Sequence, residues 1–376
     1  MADIKTHLRE LGVLVGIKIQ IEKSDLTFES ISNSSFCNII DGILSKEKHN
    51  YYNNIRNIAF TQAERGIIKN AFALSSLIIK KLGITNIKSM DWFGFNTGKD
   101  EPYDIEINNL FFSLKENSFI LENMGLYKLI NCYTGSNYKK RHIFENYAPQ
   151  EYEQWFNVTW SILIKFLKLD ANSWSFINPK NISKKAKILL INDIVCMEYF
   201  EGDIYEKCIL PINCTLSIFK EKTTSNIREG VFAKFINTNL ENNLEYILSK
   251  KKCAVVASNA LAKELSENLL YSERIARFLR IHKNSYYYAK TTSSGMELYQ
   301  VPAESDFTNH IKIISITGSV PNTQANILTT IQNLDTGKVL VLRNECRFSH
   351  GQFNGTPEAK LYYEHGCSLD SIYNKI

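Results

Sequence analysis

The stretch that decides the fold is Pro102–Lys115, with the sequence PYDIEINNLFFSLK. Polar and apolar residues alternate from Asp104 to Ile107, which is the period of a strand with one buried face. Asn108-Asn109 is a turn signal, and Leu110–Lys115 has the composition of a returning strand. The sequence therefore predicts a β-hairpin that places the start of its first strand beside the end of its second.

The flanking segments predict a mixture of helices and strands. Upstream, Thr61–Leu82 has helical apolar spacing, with Thr61 and Glu64 in a capping-box pattern and Gly83 as the stop signal. Downstream, we predict a helix over 119–133, mainly helical structure over 155–200, strands over 209–220 and 251–258, and a helix over 260–280. Short strands then dominate, at 286–290, 297–301, 311–316, 327–332 and 339–343. The fold class is therefore α/β (α+β), with a β-rich C-terminal region from about residue 286.

Composition places the chain among ordinary globular proteins. It has 376 residues, 44 Lys+Arg against 39 Asp+Glu, and eight cysteines without a C-x-x-C pair. We expect reduced thiols, no membrane span and a cytoplasmic protein. The P-loop, dinucleotide, nucleophile-elbow and H-E-x-x-H motifs are absent from the sequence, which disfavours ATP-driven translocation and serine hydrolase chemistry.

The predicted hairpin gathers the residue types that metal-assisted phosphodiester hydrolysis requires. Side chains alternate between the faces of a strand, so Asp104 shares a face with Glu106, and Ser113 shares a face with Lys115. Carboxylate oxygens suit a hard cation such as Mg²⁺, and a nearby cation can orient or activate the attacking water. These residues are therefore candidates for a Mg²⁺-dependent site.

Asp104 and the Ser113-x-Lys115 triplet, after a helix that carries Glu64, resemble the PD-(D/E)XK nuclease superfamily and within it the type II restriction endonucleases. The resemblance covers about residues 60–135. It implies a restriction-endonuclease-like core with a central mixed sheet flanked by helices, Mg²⁺ as cofactor, and Asp104, Lys115, Glu64 and Ser113 in catalysis. Ser113 stands where an acidic residue is usual, so Glu64 or Glu106 is expected to join Asp104 as a metal ligand.

Other interpretations of the same residues stay open. Asp104 and Lys115 are also explained as a solvated cross-strand ion pair. Glu64 is equally explained as the glutamate of the capping box. At the level of function, the alternatives are a structure-specific or repair nuclease of the same superfamily, or a non-catalytic DNA-binding protein with a decayed site, as Ser113 suggests.

A second segment, residues 343–358, is rich in side chains that can read base edges. Arg binds guanine through two hydrogen bonds, and Asn or Gln binds adenine in the same way. A lysine upstream can hold a phosphate. The candidate DNA-binding residues are Arg343, Asn344, Arg347, Ser349, His350, Gln352, Asn354 and Lys290. The alternative is an irregular loop whose Asn, Ser and Gly residues build turns.

The sequence therefore predicts a type II restriction endonuclease that cleaves double-stranded DNA. We expect a catalytic region over 1–200, with its core motif at 60–135, and a DNA-recognition region over 201–376. A palindromic target is cut most simply by a two-fold homodimer. Such an enzyme also requires a cognate DNA methyltransferase to protect the host genome.

Overall fold

The computed structural model describes residues 4–95, 102–116, 120–139, 142–170, 172–271, 273–292, 295–348, 351–355, 358–364 and 369–376. Within these ranges the helices are α1 Ile4–Ile21, α2 Asn33–Ile43, α3 Asn53–Arg56, α4 Gln62–Leu82, α5 Leu126–Thr134, α6 Ile143–Tyr147, α7 Pro149–Leu169, α8 Leu216–Lys222, α9 Ala233–Asn239, α10 Leu244–Glu267, α11 Glu273–Phe278 and α12 Phe307–His310. The strands are β1 Met90–Trp92, β2 Ile105–Ile107, β3 Leu110–Glu116, β4 Ile120–Gly125, β5 Ser173–Ile177, β6 Lys184–Ile191, β7 Ile194–Glu201, β8 Ile204–Pro211, β9 Tyr286–Thr292, β10 Gly295–Val301, β11 Ile311–Ser319, β12 Asn326–Asn333, β13 Val339–Arg347, β14 Glu358–Tyr363 and β15 Asn374–Lys375. A π-helical segment, Ile227–Phe232, precedes α9.

The hairpin belongs to a mixed sheet with the strand order β1-β2-β3-β9-β10-β15. Strands β3 and β9 run parallel, and the other neighbouring pairs are antiparallel. Two antiparallel sheets accompany it within the described ranges, with the orders β11-β12-β13-β14-β4 and β5-β6-β7-β8. The fold is thus mixed α/β with a mixed sheet, as predicted.

The mixed sheet lies between two hydrophobic cores. One face, with Ile105, Phe112 and Leu114, packs against α1, α2 and α4 in the first core. The other face, represented by Tyr286 and Tyr288, belongs to the second core, which also contains residues from α5 to α10 and from the two antiparallel sheets. Both faces of β3 are therefore covered over much of its length, and polar side chains at its end lie in a partly buried setting.

The predictions that rest on local signals are confirmed. Helix α4 begins after Thr61 with a capping box and ends at Gly83, whose φ of 63° is left-handed. Strands β2 and β3 are joined by Asn108 and Asn109, both with positive φ, so the hairpin has the twist-matched turn that Asn favours. The five predicted C-terminal strands correspond to β9–β13.

Other secondary-structure predictions are wrong. Residues 251–258 lie within α10. The buried residues Cys253, Ala254, Ala257 and Leu261 follow a helical spacing, which cannot be recognised within the eight residues of the predicted strand. Helix α7 ends at Leu169, and most of the predicted helical remainder to residue 200 forms β5–β7. The segment 209–220 is divided between β8 and α8, and 119–133 contains β4 before α5 because β4 pairs with the distant β14.

The expected division near residue 200 falls at the end of β7, one turn before its partner β8. The mixed sheet draws β1–β3 from the first part of the chain and β9, β10 and β15 from the second.

No helix within the described ranges has the length and apolar character needed to cross a membrane.

Candidate functional site

Asp104 is held in place by the hairpin itself. Its backbone N–H donates to the Phe112 carbonyl at 2.7 Å, and its Oδ2 accepts from the Leu114 backbone N–H at 2.6 Å. The same oxygen lies 3.4 Å from Lys115 Nζ and 3.5 Å from Ser113 Oγ. The structure therefore brings together the three residues that the sequence placed on facing strands.

The pair remains accessible to solvent. The Asp104 side chain is 16% exposed and the Lys115 side chain 30% exposed, whereas Ser113 is buried. An ion pair with this much exposure contributes little to stability, on the order of 1 kcal/mol or less. Its position at the partly open end of two buried strands suits a contact with a ligand.

Glu10 of α1 is the residue that sequence reasoning missed. It is 2% exposed, and Trp92 Nε1 donates to its Oε2 at 2.8 Å. Burial, assisted by the negative charge of Asp104, raises the pKa of Glu10 to about 8, while the Trp92 hydrogen bond and the Lys115 charge act in the opposite direction. Glu10 is thus an electrostatic neighbour of both Asp104 and Lys115.

Neighbouring residues fix the position of Glu10. A Cβ atom added at Gly94 would collide with Glu10 Oε2 and crowd Trp92 Nε1, so the glycine makes room for the carboxylate. Arg9 Nη2 pairs with Glu116 Oε2 at 2.5 Å and so ties α1 to the end of β3. The sequence signal for Glu10 is that it is the acidic residue of α1 and directly precedes the apolar run Leu11–Ile17.

Lys290 lies next to Lys115 in the sheet, since the parallel register of β3 and β9 pairs the two residues. It is buried, and on its other side the register pairs it with Glu297 of β10. Burial lowers the pKa of Lys290, and the charge of Glu297 partly opposes that shift. Lys290, which the sequence predicts to contact phosphate, therefore lies beside Lys115 of the candidate site, and its role stays a prediction.

Glu64 and Glu106 are engaged elsewhere. Glu64 is half-buried in the first turn of α4, where its Oε2 accepts from the Thr61 backbone N–H at 3.1 Å. Glu106 Oε1 accepts from Ser89 Oγ and from the Asn109 backbone N–H, both at 3.2 Å, at the turn of the hairpin. Neither carboxylate is among the described contacts of Asp104, and a metal-binding role for either stays a prediction.

The predicted recognition segment supplies mostly internal contacts. Arg343 pairs with Glu345 at 2.7 Å and with Glu364 at 2.6 Å, and Arg347 pairs with Glu345 at 2.8 Å. Asn344 is fully buried on β13, and its amide atoms have no hydrogen-bond partner among the described residues.

The remaining members of that segment are also placed. Asn354 is buried and accepts from Arg228 Nε at 2.9 Å, while Gln352 Nε2 donates to Asn237 Oδ1 at 3.0 Å. Ser349 and His350 lie outside the described residues. Asn344 and Asn354 are both buried in this conformation. Either side chain would have to leave the interior before it could contact a base.

The donor set at the hairpin fits Mg²⁺. This ion is commonly held by one or two carboxylates, with water and substrate oxygens filling the other positions. Asp104 would supply one carboxylate, and Glu10, whose pKa responds to the charge of Asp104, is the candidate for a second; a neighbouring cation would favour its ionised form. Within the described ranges no group of three or more His, Cys, Asp or Glu side chains is arranged to hold a metal.

Comparisons with protein-family models, with curated proteins and with solved structures give no match.

Proposed function

We propose that this protein is a Mg²⁺-dependent endonuclease that hydrolyses phosphodiester bonds in double-stranded DNA, of the type II restriction kind. The observation that carries the proposal is the contact of Asp104 with Lys115 at the partly open end of a hairpin in a mixed sheet, with the buried carboxyl group of Glu10 near enough for both charges to act on its pKa. A restriction-endonuclease-like core is the finer fold assignment that goes with it, supported by the helix, Asp strand and Lys strand in that order.

Each residue has a distinct part in the proposed reaction. Asp104 and Glu10 would hold the metal, and Glu10 must lose its proton when it does so. Mg²⁺, when bound, supplies positive charge against the negative charge that develops on the phosphoryl oxygens. Lys115 donates a hydrogen bond to the attacking water and adds a second positive charge, and Lys290 contributes its charge from the adjacent strand.

The test is incubation of the purified protein with unmethylated phage or plasmid DNA, in Mg²⁺ and in EDTA, followed by gel electrophoresis and sequencing of the ends. Discrete fragments that require Mg²⁺ support a sequence-specific nuclease. Lys115→Ala and Asp104→Ala should each abolish cleavage, whereas Lys168→Ala, which changes an exposed lysine at the end of α7, should not. Intact DNA under every condition, or full cleavage by Lys115→Ala, would contradict the proposal.

A second candidate is a nuclease of the same chemistry without a fixed recognition sequence, such as a structure-specific or repair enzyme. The internal contacts of Arg343, Asn344 and Asn354 favour it, since these side chains are occupied or buried rather than presented to a base. A Mg²⁺-dependent smear, or preferential cleavage of branched or damaged DNA, would select this candidate. The homodimer and the cognate methyltransferase belong to the restriction proposal alone.

A further inference from the structure

The four-stranded sheet β5–β8 has one face in the second hydrophobic core and one face open to solvent. Ile188 of β6 and Met197 of β7 belong to that core. The odd-numbered residues of β5, β6 and β8 and the even-numbered residues of β7 form the opposite, outer face. It includes Ile191, Ile194 and Ile209, which are 55%, 44% and 57% exposed. Large apolar side chains that lie together in solvent mark an interaction surface.

A row of charged residues crosses the outer face. The register places Lys187 of β6 beside Glu198 of β7, and Glu198 beside Lys207 of β8. Glu198 Oε1 lies 3.5 Å from Lys207 Nζ and accepts from the Tyr205 hydroxyl at 3.2 Å. Lys187 is exposed, and no described carboxylate lies within ion-pair distance of it. Its amine is therefore available to a partner.

The pattern is self-complementary about a two-fold axis that runs parallel to the strands between β6 and β7. Such an axis places β6 of one copy over β7 of the other and each row over the same row. Lys187 then faces Glu198 of the second copy, and the symmetry forms this pair twice. In the row next to the β6–β7 turn, Ile191 faces Ile194 of the second copy. Opposite charges and apolar side chains are thus each matched.

The remaining lysines of the outer face meet uncharged side chains in this arrangement. The axis places Lys207 of β8 opposite Ser175 of β5, and Lys185 of β6 opposite Phe200 of β7. Stacked sheets cross at about 30° because each is twisted, so the pairs formed by β6 and β7 lie closest to the axis. Two lysines of the outer face are therefore not opposed.

We infer that the outer face of β5–β8 binds the same face of a second copy of this chain, with β6 of each copy over β7 of the other. Strands spaced about 4.8 Å apart, with about 3.3 Å per residue, give this face roughly 450 Å², so two faces bury roughly 1,000 Å² once side-chain relief is included. That area is the lower limit for a specific interface. The dimer should therefore dissociate reversibly in the micromolar range.

The inference goes beyond the proposed function, because the outer face contains none of the residues of the hairpin site. It supplies a surface for the homodimer that a palindromic target would require. Its evidence is the chemistry of the sheet alone, and the dimer can be measured without DNA or metal.

The test is sedimentation equilibrium of the full chain in EDTA over a range of concentrations. Lys187→Glu and Glu198→Lys should each weaken the dimer at least about tenfold, since each places like charges opposite one another twice. The double variant Lys187→Glu/Glu198→Lys should recover most of the lost affinity, because the amine and the carboxylate exchange places. Lys312→Glu, which changes an exposed lysine of β11, should alter the Kd by less than about twofold.

The apolar row has its own matched pair of variants. Ile191→Asp should weaken the dimer at least about tenfold, because it places a charge against Ile194 of the second copy. Ile314→Asp, at a residue of β11 that is 47% exposed, should leave the dimer unchanged. Thermal melting of each variant shows that the fold is retained.

A folded wild-type chain that stays monomeric up to about 100 µM would overturn the inference. A dimer that Lys187→Glu and Ile191→Asp leave intact would overturn it as well, and a double variant as weak as the single ones would overturn the pairing of Lys187 with Glu198. A monomer that binds single-stranded DNA more tightly after Glu198→Lys would assign the outer face to nucleic acid instead. A monomer that cleaves DNA defeats this inference alone, whereas a dimer without Mg²⁺-dependent cleavage defeats only the proposed nuclease.

Discussion

Replacing Glu10 with glutamine should make the metal-free protein more stable and the enzyme inactive. Glutamine has nearly the shape of glutamic acid and keeps an oxygen that can accept from Trp92 Nε1. It does not ionise, so it removes the cost of keeping a carboxyl group in a buried position next to Asp104. It also removes one of the two carboxylates that we assign to the metal.

The magnitude follows from the pKa of Glu10, which is about 8 in the folded chain against an ordinary value of 4.5. Because the folded-state pKa is the higher one, the contribution of Glu10 to stability is greatest below pH 4.5, falls as the pH rises and levels off above about pH 8. Each pK unit corresponds to about 1.4 kcal/mol, so burying Glu10 costs about 3 kcal/mol at pH 7. For a chain of this length that difference is worth about 4 °C in Tm.

The assay is chemical and thermal unfolding of wild type and Glu10→Gln between pH 4.5 and 8.5, with and without Mg²⁺. The stabilisation by Glu10→Gln should grow with pH up to about 8, and Mg²⁺ should raise the Tm of the wild type only. Glu64→Gln is the matched control, since it changes a half-buried glutamate in the first turn of α4 and should leave both cleavage and the Mg²⁺ response intact.

Two results would refute this reasoning. A Glu10→Gln variant that is less stable than the wild type at pH 7 would show that the buried carboxyl group does not destabilise the fold. Loss of cleavage in Glu64→Gln together with full cleavage in Glu10→Gln would assign the metal to Glu64, one of the two carboxylates that the sequence offered.

Three further substitutions test the site and its surroundings. Asp104→Asn should abolish DNA cleavage, whereas Glu106→Gln, which changes a side chain bound at the hairpin turn, should retain it. Equal loss of cleavage in both variants would place Glu106 in the site. Gly94→Ala should lower the free energy of unfolding by about 1–3 kcal/mol, because its methyl group collides with the Glu10 carboxylate, and wild-type stability in urea unfolding would contradict the packing. Asn344→Leu should raise the free energy of unfolding by about 1–3 kcal/mol and leave cleavage intact, because it removes a buried amide without a described partner. A stable variant that has lost cleavage would support the predicted role of Asn344 in DNA recognition.

The elements that the sequence predicted correctly carry their signals within a few residues. The capping box of Thr61 and Glu64 and the Asn108-Asn109 turn satisfy local backbone geometry, which does not depend on the rest of the fold. The hairpin then guarantees that Asp104 and Lys115 meet. Asn192-Asp193 uses the same positive-φ turn between β6 and β7, so that hairpin carried a comparable signal.

The sequence by itself therefore determined helix α4, the hairpin and the meeting of Asp104 with Lys115. Only the tertiary structure brought Glu10 within the electrostatic influence of both residues, set Lys290 next to Lys115 through the parallel pairing of β3 with β9, and buried Asn344 within its sheet. These contacts join residues that are distant along the chain. Their formation depends on which apolar faces pack together, and local periodicity specifies that a face is apolar without specifying its partner.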